Sequence, residues 1–409
     1  MKPDFLEIKN WNTEKLIWSG LCLYCIAAPF SIAASQISLS VAFLAMLFAI
    51  RKGLLEPVFN RQDKAFAFFA LAALLSIFNS IQIIRAVSEM KKFIIILVFF
   101  LPFWLPMCKD QKKTLFRLLI ISSSIAAAIS ILMSIFYIFA KDFNYPVKGF
   151  FSLTTTFGEF QVLALFITLS ITESNIKVFQ GRFIPIVLTL QTWGVFLSYC
   201  RGAILGLLFG IIAAYWRRPK KLAVCLLIFA AMMFITGKLG PYFGKSHFLV
   251  IRNVGENRIE QGGLFSERLR TWQNGLNIVL NYPSFGVGMN NVKPYYFELS
   301  TELERENKFA HGHLHNNFLH ILAMTGFIGL SAFFWYFIEL MLFFRKSYNK
   351  EKDAEEKSML GMGIPLTIAY LTFGIPEYAF GDEEISMLFF FLSGIILNPA
   401  LKESEMQNT

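Results

Sequence analysis

Apolar residues run along this chain in about a dozen blocks, which polar turns separate. Most blocks approach the roughly 20 residues that a helix needs to cross a hydrocarbon core of about 30 Å. Continuous apolar runs of this length predict membrane-spanning helices rather than strands. We predict twelve spans, over residues 16–34, 36–50, 65–81, 92–107, 115–140, 158–172, 183–199, 203–216, 222–237, 316–344, 359–376 and 385–398.

The composition supports an integral membrane protein. Hydrophobic residues make up 55% of the 409 residues, charged residues only 16%, and the mean hydropathy is +0.53. A soluble domain carries about 25% charged residues. The predicted fold class is therefore an all-α polytopic membrane protein. The polar residues 1–15 and the apolar runs that follow them predict an uncleaved first transmembrane helix rather than a signal peptide.

The distribution of Lys and Arg predicts the orientation of the chain. Twelve spans place both termini on one side, and most of the 38 cationic residues lie in the short loops of that side. The positive-inside rule makes that side cytoplasmic. The formal charge of +10 follows largely from this topology and calls for no nucleic acid as a partner.

One connection is much longer than the others and lies on the opposite, outer side. The chain therefore divides into spans one to nine (1–237), a loop domain (238–315), the last three spans (316–398) and a cytoplasmic tail (399–409). Within the loop, "SERLRTWQNGLNIVLNY" has apolar residues at helical spacing, and "NYPSFGVGMNNV" breaks the pattern with Pro and Gly. Loops of this size are usually functional or form separate folding units.

Four of the five histidines lie where this loop meets the next predicted span. His315 precedes a helix N-terminus, whose dipole disfavours a protonated imidazole and so favours a general base. The alternative is that His315 and Asn316 merely cap the helix, because Asn is a common N-cap residue. His311 and His313 are candidate substrate contacts or solvated loop residues. No carboxylate or thiol stands at ligand spacing beside them, so we predict no metal site.

Three arginines on the outer side are candidate anion ligands. Arg201 lies in a tight turn between two spans, where a cation is either functional or reaches out to the interface. Arg268 and Arg270 lie in the long loop, and an arginine side chain can bind phosphate oxygens through two parallel hydrogen bonds. Gly286 and Gly288 could bring backbone N–H groups close to an anion, although a plain turn is the favoured explanation.

An acidic cluster follows the eleventh predicted span. We interpret it as a solvated turn, with a catalytic base or a contact to an acceptor sugar as the alternatives. Its residues are Glu377, Asp382, Glu383 and Glu384.

Several of these features together resemble the O-antigen ligase family. They are Arg201-Gly202 after a span, Arg268 four residues before Trp272, "PSFGVG" and "HNNFLHILAMTGFIGL". The resemblance implies a GT-C-like membrane enzyme of lipopolysaccharide biosynthesis in the bacterial inner membrane. Such an enzyme transfers a glycan from undecaprenyl pyrophosphate to a sugar hydroxyl of lipid A–core at the periplasmic face, inverting the anomeric centre without metal or cofactor. The family often has Ser where this chain has Cys200.

The resemblance also implies roles for individual residues. His315 matches the essential histidine, which acts as the base, and Arg201 and Arg268 match the essential arginines, which bind pyrophosphate. Further candidate substrate contacts are Arg270, His311, His313, Asn316, Gly286 and Gly288. The alternatives are an O-antigen polymerase or another polysaccharide or protein ligase of the same superfamily. A lipid-linked glycan transporter is less favoured, because we find no inverted repeat or ionisable residue at the predicted midplane.

Overall fold

A computed structural model describes residues 11–139, 147–173, 183–240, 264–299 and 312–399. Within these ranges the chain is helical and contains no β-strand. The helices are α1 (Trp11–Ala27), α2 (Ile32–Arg51), α3 (Arg61–Ser76), α4 (Ile83–Glu89), α5 (Lys92–Leu97), α6 (Phe100–Trp104), α7 (Lys109–Phe139), α8 (Thr154–Glu173), α9 (Phe183–Leu197), α10 (Arg201–Tyr215), α11 (Pro219–Leu239), α12 (Leu264–Asn281), α13 (Val292–Leu299), α14 (Asn317–Lys350), α15 (Ala354–Gly361), α16 (Gly363–Phe373) and α17 (Glu383–Leu397).

Five of these helices are long and apolar enough to cross a membrane: α2, α7, α8, α11 and α14. Helices α9 and α10 are apolar but shorter. Large apolar side chains project outward from the helices, among them Phe136 at 68% and Leu227 at 71% exposure. Apolar surface of this extent indicates a lipid environment. The described part of the chain is thus all-helical and has the helices of a membrane protein, and the count of twelve spans stays a prediction.

Helix α17 lies at the centre of the fold. Every residue from Ile385 to Leu397 is buried, as expected for a helix that is apolar on all sides. Helix α8 is buried along most of its length and packs beside it. The loop 374–382, which joins α16 to α17, therefore starts and ends on well-packed helices.

The predicted span 92–107 is not one helix but two short ones, α5 and α6. Pro102 has no N–H group to continue the helical hydrogen bonds. The carbonyls at the end of α6 accept from the side-chain amide of Asn398: those of Pro102, Phe103 and Leu105, at 2.8, 3.2 and 2.7 Å. The broken segment is thereby attached to the end of α17.

The predicted span 316–344 is also interrupted, at Gly326, whose φ is 66°. The rings of Phe318 and Phe334 stack with centroids 5.5 Å apart, whereas a straight helix would separate these residues by about 24 Å. Helix α14 therefore folds back on itself. It consists of a short arm, 317–325, and a long arm, 327–350, and the long arm alone measures about 36 Å, enough to cross a bilayer.

The loop 283–288 satisfies the backbone groups that this break leaves without helical partners. Two N–H groups at the start of the long arm donate to the loop, and two carbonyls at the end of the short arm accept from it. The bonds are Phe327 N to Pro283 O (2.8 Å), Ile328 N to Ser284 O (3.4 Å), Val287 N to Ala323 O (3.0 Å) and Gly288 N to Met324 O (2.8 Å). We call this set of hydrogen bonds the bracket. Buried backbone groups need such partners, above all beside lipid.

Helix α10 packs closely on α16 through three glycines spaced four residues apart. A methyl group at Gly206 would lie 2.2 Å from the ring of Phe373, and one at Gly210 would lie 2.3 Å from the ring of Phe166. At Gly202 the neighbours include Pro376. Small residues at this spacing let membrane helices approach closely. The start of α10 is therefore held against the loop 374–382.

The bracket generates a stability prediction. Gly286 has φ 65°, and a methyl group there would lie 2.4 Å from the backbone of Met324. We expect Gly286→Ala to destabilise the protein by about 2 kcal/mol or more, from backbone strain and the clash together. The measurement is the thermal unfolding midpoint in detergent.

Gly53→Ala is the matched control, because Gly53 has a similar φ of 69° but no neighbouring atom within 4 Å. It isolates the strain of the positive φ from the clash. Equal loss of stability in the two variants would show that the bracket is not tightly packed.

Candidate active site

The loop 374–382 receives the start of α14. Asn316 is the N-cap of this helix: its side-chain oxygen accepts from Leu319 N at 2.8 Å, and its amide donates to Ile375 O at 2.9 Å. Asn317 N donates to Gly374 O at 2.7 Å, and a methyl group on Gly374 would collide with the Asn317 side chain. The capping role that the sequence left open for Asn316 is thus present, and it aligns the preceding residue with the loop.

His315 precedes this cap in a left-handed backbone conformation, with φ 49°. Such a conformation is uncommon for a residue with a side chain. It turns the imidazole toward the loop, where His315 Nδ1 lies 3.0 Å from Oε2 of Glu377. The imidazole is 23% exposed and therefore accessible from outside.

Glu377 binds His315 and Arg268 at the same time. Its Oε1 accepts from Nη2 of Arg268 at 2.6 Å, while its Oε2 pairs with His315. Burial by itself raises the pKa of the Glu377 carboxyl, but the hydrogen bond with His315 and the charge of Arg268 lower it by more, so its pKa lies below the usual value. Glu377 is consequently ionised at neutral pH and accepts hydrogen bonds from both partners.

Helix α12 carries Arg268 to this carboxylate. Trp272, one turn further along, donates its indole N–H to Leu314 O at 2.9 Å. Gly275 lies so close to Leu314 that a methyl group there would be 2.6 Å from the leucine side chain. The Arg268-to-Trp272 spacing of four residues puts both side chains on one face of the helix. The tryptophan therefore anchors the face from which the arginine reaches Glu377.

Arg201 begins α10 at the same end of the molecule. Its neighbour Gly202 lies against Pro376, directly before Glu377 in the chain. The Arg201 side chain is exposed, and among the described residues no ion pair of it is recorded. The Cys200 thiol caps the helix, because its sulfur accepts from Ala203 N at 3.4 Å. A thiol thus performs the capping that a Ser hydroxyl could perform. Arg201 thus begins a helix whose first turn lies against the loop that carries Glu377.

The remaining predicted contacts differ in their positions. The His313 ring lies 4.3 Å from that of His315, and its Nδ1 accepts from His315 N at 3.4 Å. Arg270 is exposed, two residues beyond Arg268 on α12. His311 lies outside the described residues. Gly286 and Gly288 are buried in the bracket, where their N–H groups donate to protein carbonyls rather than pointing to an open anion site.

Sequence reasoning missed two carboxylates at this site. Glu377 was interpreted as part of a solvated turn, yet it is half-buried and joins the histidine to the arginine. Glu159 on α8 is 2% exposed, and its Oε1 has no hydrogen-bond partner within the described ranges. A single acidic residue at the start of the apolar run "GEFQVLALF" was the available signal. For Glu377 the sequence offers none beyond the charge itself.

The other acidic residues of the cluster support the fold. Asp382 caps α17 by accepting from Ile385 N at 3.3 Å, and its other oxygen accepts from Thr156 Oγ1 at 2.6 Å. Glu383 accepts from Gln36 Nε2 at 2.7 Å. Across the described part of the chain no group of three or more His, Cys, Asp or Glu side chains could hold a metal ion.

Comparison with known proteins identifies one domain. Residues 186–334 match the family model described as O-antigen ligase, and this confirms the resemblance that the motifs indicated. The matched segment contains Arg201, Arg268 and His315 and ends before Glu377. No curated protein matches the chain.

The shifted pKa of Glu377 predicts how the site contributes to stability. Because the folded-state pKa is lowered, the contribution is complete above the pKa of an unfolded glutamate, about 4.3, and disappears as the pH falls through the folded-state pKa. We expect Glu377→Gln to lower the thermal midpoint at pH 7, and the difference from wild type to shrink below about pH 4. Glu56→Gln, at an exposed position, controls for loss of a surface carboxylate. If the thermal midpoints of wild type and Glu377→Gln differ by the same amount at pH 7 and at pH 3, Glu377 is not ion-paired as described.

Proposed function

Because residues 186–334 belong to the O-antigen ligase family, we propose that this protein is an O-antigen ligase. It transfers a glycan from undecaprenyl pyrophosphate to a sugar hydroxyl of lipid A–core. The single observation that carries the proposal is the convergence on Glu377: a histidine and an arginine, far apart in sequence, bind the two oxygens of one carboxylate. A second arginine, Arg201, starts a helix next to the same loop.

The hydrogen bond to Glu377 determines which nitrogen of His315 can act as a base. An ionised carboxylate only accepts hydrogen bonds, so Nδ1 of His315 carries the proton that it donates to Oε2. The lone pair is then on Nε2, where it can accept the proton of an acceptor hydroxyl. The carboxylate also stabilises the imidazolium that forms. This orientation of an imidazole by a carboxylate is the arrangement of the Ser-His-Asp triad.

The two arginines can stabilise the negative charge of the pyrophosphate leaving group. Arg268 uses only part of its five N–H donors on Glu377, so others are available to phosphate oxygens. Arg201 is exposed and adds a second cation. A pyrophosphate gains negative charge as its bond to the sugar breaks, and cations held in position stabilise that charge best.

The reaction is a single displacement. The acceptor hydroxyl oxygen forms a bond to the anomeric carbon of the donor glycan, and the bond from that carbon to the pyrophosphate oxygen breaks. His315 Nε2 takes the hydroxyl proton, and the electron pair of the broken bond leaves on undecaprenyl pyrophosphate. Attack from the side opposite the leaving group inverts the anomeric centre. The partly exposed imidazole then returns its proton to water.

An apolar cavity of about 300 Å³ offers space for the lipid tail of the donor. It lies between α8, α9, α10 and α11, and its wall includes Leu207 and Ile211 of α10. These residues lie about 9 and 15 Å along the helix from Arg201. A polyprenyl chain in this cavity would have its pyrophosphate at the end of the molecule where Arg201 lies.

The proposal includes a topology. The twelve spans, with both termini cytoplasmic, place the loop 374–382 and the start of α14 on the periplasmic side of the bacterial inner membrane. The Lys and Arg bias of the short loops supports this orientation. The carrier-linked glycan and lipid A–core would then meet at the outer rim of the bilayer.

Reconstitution tests the assignment of the residues. Full-length protein in liposomes, supplied with carrier-linked glycan and lipid A–core, should produce glycosylated core. We expect His315→Ala to lower the transfer rate by about 10²-fold or more while donor binding persists. Arg268→Ala should weaken donor binding and also slow transfer, by about 10²-fold.

Lys293→Ala, which removes an exposed cation on α13, is the control and should retain the wild-type rate. Transfer at the normal rate by His315→Ala would refute its role as the base. Extension of the glycan on the carrier, without transfer to core, would identify a polymerase instead.

A second variant pair tests the cavity. Ile211 is 7% exposed and lines the cavity, whereas its neighbour Ile212 is 37% exposed and faces outward. We expect Ile211→Trp to raise the KM for the full-length donor several-fold, because the larger side chain fills space that the long tail occupies. The KM for a short-chain donor analogue should not change. Ile212→Trp is the control. Equal kinetics of both variants with the long donor would show that the tail binds elsewhere.

A further inference from the structure

A polar cavity lies at the end of the long arm of α14 that is far from the bracket. It measures about 440 Å³ and is formed by the start of α3 and the last turns of α14. From Gly326 to Lys346 the long arm of α14 rises about 30 Å, which equals the thickness of a hydrocarbon core. The cavity therefore lies at the other membrane face, which the Lys and Arg bias predicts to be cytoplasmic.

The cavity is rich in positive charge. Arg61, Lys346 and Lys350 line it, and Ser347 adds a hydroxyl group. One carboxylate, that of Glu339, also lines it and accepts from the indole of Trp335 at 3.3 Å. Three cations against one carboxylate leave an excess of positive charge. Glu339 lies about 10 Å deeper along the helix than Lys346, so the outer part of the cavity is wholly cationic.

Two buried hydrogen-bond donors in the same cavity lack partners among the described residues. Gln62 is only 1% exposed, and its Nε2 atom donates to no described protein atom. The Nδ2 atom of Asn60 is also buried and donates to no described protein atom. Both residues line the cavity and stand at the start of α3, whose first turn is capped by Asp63. The unsatisfied buried donors and the three cations together form a site for an anion.

The surroundings indicate that the anion belongs to a lipid. Leu342 and Phe343 line the cavity between the charged residues. Leu342 is 51% exposed and Ile338, one turn earlier, is 49% exposed, so the cavity opens onto an apolar face of α14. A free anion would gain nothing from this face, whereas acyl chains would cover it.

We propose that this cavity binds the phosphate of an anionic phospholipid headgroup, with the acyl chains along α14. Basic pockets between membrane helices at the cytoplasmic face bind such headgroups in this way. The site is separate from the loop 374–382, and its ligand is neither the donor nor the acceptor of the proposed transfer.

The test compares short-chain phosphatidylglycerol with short-chain phosphatidylcholine on the full-length protein in detergent, with binding measured by native mass spectrometry. We expect phosphatidylglycerol to bind at least about tenfold more tightly, and the triple variant Arg61→Gln, Lys346→Gln, Lys350→Gln to lose this preference. The control triple variant removes three exposed cations that do not line the cavity: Arg51→Gln, Lys52→Gln, Arg345→Gln. It should keep the preference. Equal affinity for the two lipids in wild type, or equal loss in both triple variants, would overturn the proposal.

A single substitution separates ligand binding from folding. Gln62→Leu keeps the size of the side chain but removes the unpartnered amide, so the lipid-free thermal midpoint should stay the same or rise. Phosphatidylglycerol should nevertheless bind several-fold more weakly. Unchanged affinity would show that the amide does not contact the ligand.

Inorganic phosphate is the third ligand in the test. If it binds as tightly as phosphatidylglycerol, the acyl chains contribute nothing and the lipid assignment is wrong. Weak, salt-sensitive phosphate binding together with tight lipid binding supports the proposal, because the exposed cations are screened while the apolar contacts are not.

Discussion

The bracket is the constraint on which the site depends. A membrane helix that breaks must find partners for the N–H and carbonyl groups that the break releases, because lipid offers none. In this protein the loop 283–288 supplies both donors and acceptors to the two sides of Gly326. Once the break is stabilised, α14 can fold back and present its N-terminus at the loop 374–382. Without the bracket, α14 would continue as one straight helix. His315 would then lie about 15 Å from Gly326 along the extended helix axis, rather than folded back toward the loop 374–382.

A balance of charge holds the active-site residues together. Glu377 accepts from one permanent cation and from an imidazole that becomes a cation when it takes a proton. Arg201 carries a further positive charge nearby. The close contact of α10 with α16 through glycines keeps Arg201 at this position although its own side chain is exposed.

The two ends of the long arm of α14 serve different chemistry. At one end lie the bracket and the loop with Glu377, and at the other lies the cationic cavity with Gln62 and Lys346. A rigid helix of membrane thickness connects them. Its interior face packs aromatic rings, such as Phe333 against Phe380 at 5.5 Å, so the loop 374–382 is packed on the same helix that ends in the cavity. The proposed headgroup site is thus attached directly to the framework of the candidate active site.

The sequence by itself determined the helical class, the apolar character and the identity of His315, Arg201 and Arg268 as candidates. These follow from local patterns: helical blocks of membrane length, and cations or imidazoles beside the ends of those blocks. Only the tertiary structure decided the role of Glu377, because its partners are 109 and 62 residues away in the chain. The same holds for "PSFGVG", whose glycines allowed an anion loop as well as a turn until the bracket paired them with α14. Hydrogen-bond partners and burial are properties of contacts between distant segments, and no periodicity within one segment records them.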